Sequence, residues 1–120
     1  EETEVSYRQA ILLKPDYAEA HNNLGVTLQE WGRLEEAKAS FKHAILLKPD
    51  HAEAHNNLGT TLQELGKLEE SIAVYEQALK LRPGFAETES NLIACLTVHK
   101  PAILVPQSIT GIDNDIRKIE

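Results

Sequence analysis

The chain contains no methionine, and one cysteine in 120 residues. A lone thiol, Cys95, cannot close an internal disulfide, which fits a reducing compartment, and the cytoplasm is the expected location. Basic residues are in the minority: 12 Lys and Arg stand against 19 Asp and Glu, giving a formal charge of −7 and a pI near 5.2. A phosphate-backbone partner calls for clustered cations, so nucleic acid is excluded. No apolar run approaches the roughly 18 residues of a spanning helix, and no secretory signal is written, so no membrane partner is expected. No nucleophile motif, glycine-rich phosphate loop or acid pair rises above the background, and the chain reads as non-enzymatic with no cofactor. Without an initiating methionine, and opening partway through a repeating unit, the sequence is expected to be a fragment of a longer protein.

What is present is one unit of 34 residues written twice. AEAHNNLGVTLQEWGRLEEAKASFKHAILLKPDH (18–51) runs without a gap into AEAHNNLGTTLQELGKLEESIAVYEQALKLRPGF (52–85), and twenty of the 34 aligned positions are identical. A period of this length marks a solenoid of stacked supersecondary units, each unable to bury its apolar face alone. Residues 1–17 align with 35–51, sharing AILLKPD, and so form the second helix of a truncated unit. FAETESNLIACL (85–96) tracks HAEAHNNLGTTL (51–62) and supplies a further first helix over 86–99, partial or capping. The tail 100–120 leaves the pattern, with Pro101 and Pro106 interrupting it, and reads as a linker to a missing domain.

Each unit predicts two antiparallel helices, over 18–31 and 35–48, then 52–65 and 69–82, with a leading helix over 2–14 ended by Pro15. Asp16 and Asp50, three residues before Glu19 and Glu53, predict a capping-box-like start. Gly32 and Gly66 suit the left-handed turn that ends a helix. At 100° per residue, His21, Leu24, Gly25 and Leu28 share one face and must pack on the partner helix. Gly25 and Gly59 each cost about 1 kcal/mol of helix propensity, which a close helix–helix approach against Ala44 and Ala78 would explain. Ala20, Thr27 and Trp31 are expected to face the neighbouring unit. Ile93 replaces the glycine in the last copy, as expected where no second helix crowds it.

The spacing His21-x2-Leu24-Gly25-x2-Leu28, Ala37-x3-Phe41, Pro49, repeated as His55-x2-Leu58-Gly59-x2-Leu62, Ser71-x3-Tyr75, Pro83, resembles the tetratricopeptide repeat (TPR). It departs where His21 and His55 replace the usual tryptophan. The resemblance implies an all-α TPR α–α solenoid, a right-handed superhelix of antiparallel helix pairs whose first helices line the inner, concave surface. A peptide-binding groove would then be lined by Asn22, Asn23, Val26, Gln29, Asn56, Asn57, Thr60, Gln63, Ser90, Asn91 and Ala94. Asparagine returns at the sixth repeat position as Asn23, Asn57 and Asn91, although it is a middling-to-poor helix former. A side-chain amide both donates and accepts, so it can pair with any peptide backbone. Packed helices lie about 8–10 Å apart and an extended peptide advances about 3.3–3.6 Å per residue, so successive asparagines would meet roughly every third residue. This looks like the asparagine ladder of O-linked N-acetylglucosamine transferases. The bland reading is that these amides are solvated or bond within the solenoid.

TPRs that bind chaperone tails resemble a clamp of Lys, Arg and Asn around a terminal carboxylate; here the matching positions carry Glu19, Asn22, Val26, Glu53, Asn56 and Thr60, with no cation. A protein or extended peptide, neutral or basic rather than acidic, is the expected partner. His51-x3-His55 has ligand-like spacing, but nothing completes a four-ligand set, so no metal is expected. Cys95 reads as a small packing residue. Two alternatives stand beside the docking module: a structural solenoid that self-associates through its exposed ends, and an accessory domain of an enzyme, glycosyltransferase-like or another transferase, with its catalytic domain elsewhere.

Overall fold

The computed structural model describes residues 2–14 and 16–99. Pro15 and the tail, with the expected burial of Ile103, Leu104 and Val105 and the cap at Asp113 or Asn114, lie outside the described residues. Six helices follow one another: α1 (Glu2–Leu13), α2 (Ala18–Glu30), α3 (Leu34–Leu47), α4 (Ala52–Glu64), α5 (Leu68–Leu81) and α6 (Ala86–His99). Each packs on its sequence neighbours, and α2, α4 and α6 also touch in succession, so the first helices share one side of the stack. This is an all-α solenoid of helix pairs.

The helix ends are set locally. Gly32 and Gly66 take φ of 79° and 83°, the left-handed region that glycine enters without penalty. Gly32 and Arg33 donate to the carbonyls of Gln29 and Leu28, and Gly66 and Lys67 to those of Gln63 and Leu62, which closes each helix as a Schellman motif. The helix starts depart from expectation, since neither Asp16 nor Asp50 caps. The chain enters α2 and α4 one residue later, at Tyr17 and His51. His51 Nδ1 accepts from the Ala54 N–H (3.4 Å), doing for α4 what the aspartate was expected to do. An accepting Nδ1 places the neutral ring's proton on Nε2, which is buried 3.3 Å from Glu19 Oε1 but outside hydrogen-bond geometry.

The core is a continuous cluster of Leu24, Leu28, Ala37, Phe41, Leu58 and Leu62, with Ile11, Ile45 and Val74 packed against it. Gly25 and Gly59 are where the helices approach, and the occupant of the space is an aromatic ring. A Cβ on Gly25 would stand 2.6 Å from the Phe41 ring, and one on Gly59 2.5 Å from the Tyr75 ring. Ala44 and Ala78 are fully buried on the same second helices. Tyr75 Oη donates to Gln63 Oε1 (3.0 Å) and lies 3.1 Å from Thr60 Oγ1, so the ring enters the core while its hydroxyl reaches the first helix. Trp31 is 40% exposed, with the Arg33 guanidinium 5.9 Å from its ring. Arg33 also bonds Glu36 and reaches Glu4 on α1, and the bonds from Arg8 and then Arg33 hold the Glu4 carboxyl below its ordinary value.

Candidate functional site

Three first helices in contact leave a cavity of about 440 Å³ between them, lined by Val26, Gln29 and Glu30 of α2, Asn57, Thr60 and Glu64 of α4, and Glu87 of α6. It joins four of the side chains expected in the groove with three carboxylates, and no lysine or arginine lines it. Ser90 and Ala94 are exposed further along α6, while Asn23, Gln63 and Asn91 are half-buried.

Two expected groove residues are not there. Asn22 and Asn56 are 2% and 1% exposed, which removes them from any surface a ligand meets. The reason is angular. Each follows a histidine that packs inside (His21, His55), and 100° further round the helix brings the next side chain to the seam between repeats. There the pair bonds to the following repeat. Asn57 Nδ2 donates to Asn22 Oδ1 (3.1 Å), and Asn91 Nδ2 donates to Asn56 Oδ1 (3.3 Å). Thr88, fully buried, adds a 2.7 Å bond to the same Asn56 oxygen. A third link joins Thr61 Oγ1 to Gln29 Oε1 (3.1 Å). Glu30, Glu64 and Glu87 come together here from three separate helices.

Elsewhere the chemistry-bearing residues are enclosed. Cys95 is fully buried with Sγ 3.7 Å from Ser71 Oγ. His55 Nε2 lies 3.0 Å from the Pro49 carbonyl oxygen, and His21 stacks on His43 at 5.0 Å between centroids. No helix among the described residues is long and apolar enough to cross a membrane.

The tetratricopeptide-repeat family matches twice, over residues 18–51 and 52–85. No curated protein matches the chain. Among solved structures, it is similar to a mutant O-GlcNAc transferase of Thermobaculum terrenum, with 32% identity and a TM-score of 0.75, over 78% of this chain and 18% of that one. It is also similar to the second TPR domain of human RPAP3, solved with the HSP70 peptide SGPTIEEVD, with 28% identity, TM-score 0.72 and 74% of each chain covered. MamA shares the fold at 23% identity and TM-score 0.75, covering 78% of this chain and 55% of that one. The chain thus spans about a fifth of the transferase's length and about half of MamA's. With six consecutive helices, a doubled repeat matched unit by unit and solved TPR structures of the same shape, the chain belongs to the tetratricopeptide-repeat family.

Proposed function

We propose that this chain is a peptide-docking module that holds an extended, neutral or basic segment of a partner protein along the face formed by α2, α4 and α6. The observation that carries the reading is the cavity shared by those helices, where amide and hydroxyl groups (Gln29, Asn57, Thr60) stand beside Glu30, Glu64 and Glu87. Amides and hydroxyls bond a peptide backbone whatever its side chains, and the carboxylates favour a lysine or arginine over an acidic residue. The RPAP3 domain supports peptide binding by a fold of this kind, but its peptide ends in EEVD. The three carboxylates of the cavity oppose such a ligand here. The likeness to a transferase supports a recruiting role within a larger protein, with the chemistry performed outside the repeats.

Fluorescence anisotropy tests this with two capped, fluorescein-labelled peptides, one of alanine, serine and lysine and one ending in EEVD. The basic peptide binds and the acidic one does not. Asn57→Ala with Asn91→Ala weakens the basic peptide about ten-fold, from two neutral hydrogen bonds lost, while circular dichroism still shows a cooperative melt. Tighter binding of the acidic peptide, or no change in the double variant, rejects the reading.

A further inference from the structure

Two of the bonds that cross between repeats are the same bond made twice. Asn57 donates to Asn22 and Asn91 to Asn56, each across 35 residues of sequence. In both, the acceptor is buried and the donor half-exposed. An asparagine amide is planar and carries two N–H donors and one carbonyl oxygen. Once one N–H is committed to a fixed acceptor, the directions of the other N–H and of Oδ1 are set as well. Neither Asn57 Oδ1 nor Asn91 Oδ1 bonds another described residue, and Asn57 lines the cavity.

We infer that Asn22 and Asn56 are positioning residues, which never touch the ligand but hold the amides of Asn57 and Asn91 in the orientation that presents one acceptor and one donor to a peptide backbone. The inference rests on the docking function proposed above. Holding the side chain before the peptide arrives spares the ordering cost otherwise met on binding. Asn23 supplies the contrast: it makes no such bond among the described residues, so its amide is not held in this way. Thr88 strengthens the second rung, since its hydroxyl shares the Asn56 oxygen, whereas the matching position on α4 is Ala54.

The test is a double-mutant cycle read with the basic peptide. Asn57→Ala weakens binding three- to ten-fold, about the worth of one neutral hydrogen bond. Asn22→Ala weakens it about three-fold, and adding Asn22→Ala to Asn57→Ala costs nothing further. Asn22→Asp, which keeps an accepting oxygen, binds as the wild type does. Asn22→Ala also shifts the separation of the two Asn57 side-chain amide protons to that of a free amide in a ¹⁵N–¹H spectrum, a change that general loosening of the stack would not confine to one residue. If Asn57→Ala weakens binding while Asn22→Ala leaves both affinity and those protons unchanged, the positioning role is wrong and the groove survives. If Asn22→Ala does not fold, the aspartate variant decides alone: lost binding with a wild-type melt overturns the inference. If the wild type does not bind the peptide, or Asn57→Ala leaves its affinity unchanged, the docking function itself fails and the inference falls with it.

Discussion

Gly59 and Tyr75 show how strictly single residues are matched in this stack. A β-carbon on Gly59 would lie 2.5–2.9 Å from three atoms of a ring that is fully buried and cannot swing aside. Overpacking of this kind costs about 1–3 kcal/mol, and alanine's better helix propensity returns about 1 kcal/mol. Gly59→Ala is therefore expected to lose up to about 2 kcal/mol net in urea denaturation; a stabilised variant would mean the ring is free to move. Tyr75 carries a pH signature too. Burial pushes its hydroxyl's pKa above the ordinary value of 10.0, with the Thr60 bond opposing. A raised folded value contributes stability that is complete below the unfolded pKa and disappears as pH climbs through the folded one. Tyr75→Phe restores the residue the first repeat already uses, Phe41. It should cost about 1 kcal/mol at neutral pH for the hydroxyl's bonds, yet its melting temperature should fall less than the wild type's above about pH 10. Parallel alkaline curves would contradict the assignment.

At the scale of the element, the second helices differ in how well they fill the ground between them. Ile11 and Leu12 of α1, Leu24 and Leu28 of α2, and Ala39, Ser40 and His43 of α3 surround a largely apolar cleft of about 530 Å³. At the position matching Ser40, α5 carries Val74, which packs on the core. Serine and valine have similar helix propensity, so burial decides the exchange. Ser40→Val is expected to stabilise by about 0.5–1 kcal/mol, seen as a higher urea midpoint at unchanged slope. A lower midpoint would show that Ser40 is held there by something other than incomplete packing.

For the whole molecule, the repeat was the most legible feature. Period, turn glycines and the HxxLGxxL face each answer to a local rule, and the helix pairs, the left-handed Gly32 and Gly66 and the ring-tight Gly25 and Gly59 all follow. Two of the misreadings arose where a side chain's setting depends on a different repeat. Asn22 and Asn56 sit at the border of two helix faces, and only the approach of the next first helix turns them inward. Asp50 has the right chemistry for a cap but stands one residue early, leaving the task to the His51 imidazole. Helix register puts Glu30, Glu64 and Glu87 on the same face of successive first helices, but how near they come is set by how successive pairs rotate against each other.

In the proposed docking role, the bonds from Asn57 to Asn22 and from Asn91 to Asn56 make the coil's pitch part of its grip. A spring of this kind meshes with an extended strand only at the winding where those rungs are engaged. Stretching or overwinding it would part the rungs, so tension along the solenoid would loosen its hold on a bound segment.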